Sequence, residues 1–118
     1  MTIDDLQAHC AAKPGVSWDT PFGPDVLVFR VAGKIFALAP LDEFSTINLK
    51  CDPERAIDLR ERYPGIVPGY HMNKKHWNTV EVTGSVPRKL LLELIDHSYE
   101  LVKASLLKKL QAQLKVGG

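Results

Sequence analysis

Residues 26–39 read VLVFRVAGKIFALA, and this stretch decides the fold. Val26–Val31 and Lys34–Ala39 are two runs of β-branched, aromatic and other apolar residues separated only by Ala32-Gly33. A two-residue break with glycine at its second position suits a tight hairpin, so the runs are expected to pair antiparallel. Downstream, Thr46–Lys50 alternates polar and apolar, which turns Ile47 and Leu49 to a core and Thr46, Asn48 and Lys50 to the opposite face. A further strand is predicted over Trp77–Val82 with Val80 and Val82 inward, sending Trp77, Thr79 and Glu81 to that same outer face.

Helices flank these strands. Thr2-x-x-Asp5 is a capping box, and Ile3, Leu6 and Cys10 follow at helical spacing until Pro14-Gly15 ends the run. Asp52-Pro53-Glu54 supplies an N-cap, a proline at the first helical position and an acid at the positive end of the dipole, starting a helix expected to reach about Tyr63. Residues 66–76 hold Pro68 and Gly69 without a clear period and are read as a loop. After Gly84-Ser85 and Pro87, the residues Leu91, Leu94, Ile95, Leu101, Val102, Leu110 and Leu114 keep an apolar face almost to the end. This predicts a long last helix, with Ser98 and Ser105 as places where it could break and Val116-Gly117-Gly118 as a loose tail. The order helix, three strands, helix, strand, helix indicates a single α+β domain over residues 1–118, its antiparallel sheet covered by helices on one face.

Composition bounds the function. The 118 residues suit one domain, and 45% hydrophobic with 25% charged residues is the balance of an ordinary globular protein. Fifteen Lys and Arg against fourteen Asp and Glu leave a net charge of +1, so no bulk charge points to nucleic acid or membrane. That balance hides a gradient, from four acids against two bases in residues 1–33 to six bases against three acids in residues 85–118. Asp4 and Asp5 in a segment without bases do not resemble a secretion signal, and no apolar run approaches the ~20 residues that span a bilayer. A cytoplasmic monomer is expected, with Cys10 and Cys51 as buried, reduced thiols.

The most unusual stretch is PGYHMNKKHWNTV, residues 68–80, which is basic and aromatic without an acid. If the two strands adjoin, Trp77 lies outward beside Lys50 and Asn48, and a ring could stack a base while ammonium and amide groups take phosphate oxygens. Against this stands a plain alternative, in which Trp77 caps the sheet edge and Lys74 and Lys75 merely solvate a loop. A rival from another class makes the same segment the wall of a pocket for a small molecule or a protein, with Tyr70, His71 and Asn73 as neutral hydrogen-bonding groups. Geometry separates the two: a convex basic ridge suits DNA and a concave apolar cleft suits a ligand. His71 and His76 lack the Cys, Asp or Glu partners of a metal site, and no nucleophile motif or phosphate-binding glycine loop is present, so no metal, cofactor or catalytic residue is expected. His9 and His97 fall on helices as surface or boundary residues.

Several segments together resemble the MmcQ/YjbR family of small bacterial proteins. They are Lys13-Pro14-Gly15, Pro21-Phe22-Gly23, Gly33-Lys34-Ile35-Phe36-Ala37, Ile47-Asn48-Leu49-Lys50-Cys51-Asp52-Pro53, the run from Pro68 to Val80 and Ser98-Tyr99-Glu100-Leu101-Val102. The resemblance implies a CyaY-like (frataxin-like) two-layer fold and DNA binding, with paired hairpins likened to a double wing. In the DNA-binding reading of these residues, Lys50, Lys74 and Lys75 contact phosphates, Trp77 stacks or wedges, and Asn73 with His71 or His76 supplies hydrogen bonds. The iron site of frataxin-like proteins is an acidic ridge on the first helix and adjoining strand, and the first helix here offers only Asp4 and Asp5, so iron binding does not carry over.

Overall fold

The computed structural model describes residues 1–69 and 72–117; side chains are described through residue 109. Three helices and six strands follow in the order α1 (Ile3–Ala11), β1 (Val16–Asp19), β2 (Val26–Val31), β3 (Lys34–Pro40), β4 (Thr46–Lys50), α2 (Pro53–Arg62), β5 (Ile66–Pro68), β6 (Trp77–Glu81) and α3 (Arg88–Gly117). The strands form one antiparallel sheet in the order β1-β2-β3-β4-β6-β5. This is the expected α+β architecture.

The hairpin at its centre turns at the predicted two-residue break. Ala32 and Gly33 both take positive φ, 48° and 85°, the pair of left-handed residues whose twist matches that of the strands on either side. Between Phe29/Arg30 and their partners the β2–β3 register shifts by one residue. Phe36 and Ala37 therefore both face the core, while Ile35 and Leu38 face the other side.

Helix caps follow the predicted chemistry. The Thr2 hydroxyl accepts from Asp5 N–H and the Asp5 carboxylate accepts from Thr2 N–H, a closed capping box. Asp52 caps α2 by accepting from Arg55 N–H at 3.2 Å, with Pro53 at the first helical position. The core lies between the sheet and the helices and is built from Leu6 and Cys10 of α1, Ala56 and Leu59 of α2 and Leu91, Leu94, Ile95 and Val102 of α3 against Phe29, Phe36, Ile47, Leu49 and Val80.

Polar ties fix α3 to its neighbours. Buried Ser98 donates to the Phe36 carbonyl at 2.5 Å and accepts from Lys50 N–H at 2.9 Å, joining the helix to β3 and β4 at once. Tyr99 packs edge-on to Phe36 and donates its hydroxyl to the Pro14 carbonyl at 2.6 Å. Asp96 takes His9 Nε2 at 2.7 Å and Lys13 Nζ at 2.5 Å, linking α1 to α3. The His97 ring accepts from Asp52 N–H at 3.1 Å, and burial, then the nearby Arg55 charge, lowers its pKa in favour of that neutral acceptor.

Three expectations are corrected, over β1, β5 and the C-terminal tail, and the last helix proves continuous where the sequence left a break open. Val16–Asp19 forms an edge strand, and the segment after Gly65, read as loop, begins with the three-residue strand β5. Both lie at the sheet margins, where a strand is defined by its single partner more than by its own pattern. The last helix does not break at Ser98 or Ser105: Ser98 directs its hydroxyl to β3, while Ser105 bonds back to the Val102 carbonyl at 2.7 Å inside an intact helix. Its backbone continues through Val116 and Gly117, and Gly118 lies outside the described residues. Cys10 and Cys51 are free and buried, and burial pushes the Cys10 thiol up to about 12 and the Cys51 thiol above its ordinary value.

Candidate ligand site on the open sheet face

The face of the sheet away from the helices has two halves. On one, β4 and β6 pair as the alternation requires: Lys50 stands opposite Trp77, Asn48 opposite Thr79 and Thr46 opposite Glu81. On the other, β2 and β3 are apolar on both faces, because an almost unbroken hydrophobic run has no polar residues to send outward. Val28 and Leu38 oppose each other on the open side, yet Val28 is fully buried and Leu38 nearly so. The outer face is therefore polar over β4 and β6, as their alternation predicts, and apolar over β2 and β3.

A concave cavity of about 410 Å³ occupies the apolar half, within the range usual for small-molecule sites. Val26 of β2 and Ile35, Leu38 and Pro40 of β3 form its floor, and Asn48 of β4 adds an amide at one side. Its walls come from two loops: Phe22, from the β1–β2 connection, and Met72, from the segment between β5 and β6. Phe22 is 67% exposed, an unusual position for a phenyl ring.

Hydrogen bonds join the described residues of the segment that brings Met72. Gly69 N–H donates to the Trp77 carbonyl at 3.0 Å and Met72 N–H to the Gly69 carbonyl at 3.1 Å. A Cβ on Gly69 would lie 3.2 Å from the Trp77 Cβ, so the close approach depends on glycine. From α2, Arg60 donates to the Asn78 side chain at 2.6 Å and to the Lys74 and Trp77 carbonyls, clamping both ends of the turn.

The predicted contact residues divide accordingly. Asn73 is a turn builder: its side chain accepts from Lys75 N–H at 3.0 Å, and its carbonyl accepts from the N–H groups of His76 and Trp77. Lys74 and Lys75 are exposed at the tip, His76 and Trp77 are half-buried, and the His76 carbonyl accepts from Cys51 N–H. Tyr70 and His71 lie outside the described residues. Trp77 does not line the cavity, so the segment contributes Met72 as its wall instead. Lys50 does not line the cavity either, but it lies two residues beyond its lining residue Asn48 on the same face, about 7 Å along the strand. Burial, then the neighbouring Lys34 charge, pulls its ammonium below the ordinary lysine value.

The YjbR family pattern matches residues 11–101, most of the chain. The chain belongs to the YjbR family. This YjbR protein is 43% identical to the uncharacterized protein YbdF of Escherichia coli O157:H7, over 98% of its own length and all of that protein. It is 34% identical to YjbR of Escherichia coli K12, with 85% of this chain and 86% of that one aligned. Among solved structures, DR2400 of Deinococcus radiodurans superposes with a TM-score of 0.80 at 42% identity, covering 86% of this chain and 78% of the other. A Pseudomonas syringae protein superposes with a TM-score of 0.74 at 33% identity, covering 86% and 98%. Among the described residues of this YjbR chain, no helix is long and apolar enough to cross a membrane, and no three His, Cys, Asp or Glu side chains gather as a metal site.

Proposed function

We propose that this YjbR chain is a non-enzymatic binding module that takes a small, largely apolar molecule in the cavity on the open face of its sheet. The observation that carries the reading is the shape and lining of that face: a concave apolar floor between two loops, with a phenyl ring left exposed at its rim. A stacking platform for nucleic acid would need exposed rings on a basic surface, and here the ring beside Lys50 is half-buried. DNA contact through Lys50, His71, Asn73, Lys74, Lys75, His76 and Trp77 is the second reading, favoured by the exposure of Lys74 and Lys75 at one loop tip.

Thermal unfolding separates them. A ligand held only by the native state at ten times its Kd stabilises by about 1.4 kcal/mol, some 5–6 °C for a chain of 118 residues. The expected result is a shift with 4-phenylbutanol that weakens at least fivefold in Phe22→Ala, a substitution at an exposed position that leaves the core intact. No shift with any small apolar compound, together with a shift by duplex DNA at low salt that vanishes in Lys74→Ala/Lys75→Ala, would replace this reading with the second.

A further inference from the structure

Among the described residues, Asn48 is the polar side chain that lines the cavity. The Asn48 carbonyl oxygen is already occupied by the Thr79 hydroxyl, which donates at 2.6 Å. With the oxygen held, the Asn48 NH₂ group is left to point elsewhere, and it has no partner among the described residues. One alternate position further along β4 stands Lys50, whose ammonium also has no hydrogen-bond or ion-pair partner among the described residues. A lysine stem is long enough to cover the ~7 Å back toward Asn48.

The acids carried by the strands themselves are engaged elsewhere. The six strands carry two acids, Asp19 and Glu81. Asp19 accepts from Arg30 Nε at 3.2 Å on the β1–β2 side. Glu81 sits at the opposite end of β6, where it accepts from the hydroxyls of Thr83 at 2.7 Å and Ser85 at 2.8 Å; those bonds hold its carboxyl below the usual carboxylate range. A half-buried lysine and an amide NH₂, neither with an acceptor among the described residues, thus follow one another along the β4 face, the amide lining the apolar trough and the lysine one alternate position beyond it.

We infer that the guest is an amphipathic monoanion, an aryl- or alkyl-carboxylic acid whose hydrocarbon part fills the trough over Val26, Ile35 and Leu38 and whose carboxylate is taken by Asn48 Nδ2 and Lys50 Nζ. This rests on the binding reading above and adds the chemical class. Charge complementarity selects the acid: an alcohol leaves the ammonium unpaired, and an amine sets like charge against it. Size selects a compact one, since about 410 Å³ holds roughly fourteen water-sized volumes of ~30 Å³ and hence a molecule of about a dozen heavy atoms.

The test uses three probes of one shape, 4-phenylbutyrate, 4-phenylbutanol and 4-phenylbutylamine, titrated by calorimetry against the whole chain and against Lys50→Met and Lys50→Arg. The expected order is acid tighter than alcohol by about tenfold, with the amine weakest. Lys50→Met should bring acid and alcohol to within about twofold, and Lys50→Arg should keep the preference for the acid. Acid and alcohol binding equally to the unaltered chain would overturn the anion assignment while leaving the cavity as a binding site. No binding by any of the three at millimolar concentration would overturn both. An acid preference that survives Lys50→Met would overturn the role given to Lys50.

Discussion

Replacing Ser98 by alanine should be among the costliest single-atom deletions in this chain. Its hydroxyl is fully buried and bridges the Phe36 carbonyl, at the bulge where β3 changes register, to Lys50 N–H at the end of β4. Alanine keeps the helix and fits the space but removes both bonds, leaving a carbonyl and an N–H facing a methyl group. Two lost bonds at about 1–1.5 kcal/mol each give a cost of roughly 2–3 kcal/mol, and the buried carbonyl holds the figure toward the upper end. Unfolding entropy of about 2.1 cal/mol/K per residue corresponds to ~0.25 kcal/mol/K for 118 residues, so the melting temperature should fall by roughly 8–12 °C. Urea unfolding should show a lower midpoint at unchanged slope. Ser105→Ala serves as the comparison on the same helix. Its hydroxyl bonds to its own helix and to Lys34 Nζ at 3.2 Å near the surface, so its loss should stay within about 0.5 kcal/mol. Equal costs for the two serines, or a Ser98→Ala cost below about 0.5 kcal/mol, would refute the view that this hydroxyl pins the helix to the sheet.

Ala32→Gly should stabilise the hairpin by about 0.5–1 kcal/mol in thermal unfolding, because alanine at φ 48° carries a left-handed strain that glycine lacks. Gly33→Ala, at φ 85° in the same turn, should destabilise by a similar amount or more. Cys10, its thiol pushed up to about 12 by burial, should react with Ellman's reagent only at the rate of unfolding, and rapid labelling in the native state would contradict its placement in the core. At Asp96, burial would raise the pKa but is outweighed by the hydrogen bonds from Lys13 and His9, so the folded value lies below the unfolded one. Its contribution is therefore complete above about pH 4 and is lost as pH falls through the folded value, amounting to no more than ~1 kcal/mol for a half-exposed pair. Asp96→Asn should flatten the acid limb of the stability profile by that amount, and an unchanged limb would show that the α1–α3 tie carries no stability.

What the sequence discloses depends on how far apart the cooperating residues are. The hairpin at Ala32-Gly33, the caps at Thr2 and Asp52 and the alternation of Thr46–Lys50 are written in neighbouring residues, and each forms as read. Alternation also puts Lys50 and Trp77, 27 positions apart, on one face, while their direct pairing depends on β4 and β6 adjoining in that register. Val16–Asp19 and Ile66–Pro68 are too short to carry a period and become strands only because β2 and β6 offer free edges. The cavity is harder still. The runs over Val26–Val31 and Lys34–Pro40 announce burial on both faces, but nothing local says that the second face is a trough walled by Phe22 and Met72, fifty positions apart. The basic loop drew attention through its composition, yet Asn73 is spent on building its turn and Arg60, on another helix, holds it in place. Arg60 carries no local signal of that task.

The most direct measurement is a titration of the ¹⁵N-labelled chain with 4-phenylbutyrate, followed amide by amide. Saturable shifts should concentrate at Val26, Ile35, Leu38, Asn48, Lys50 and Met72, with the far face of α3 unaffected. Shifts absent from these amides at millimolar ligand, while duplex DNA at low salt moves Lys74, Lys75 and Trp77, would contradict the assignment of the open face as a small-molecule site.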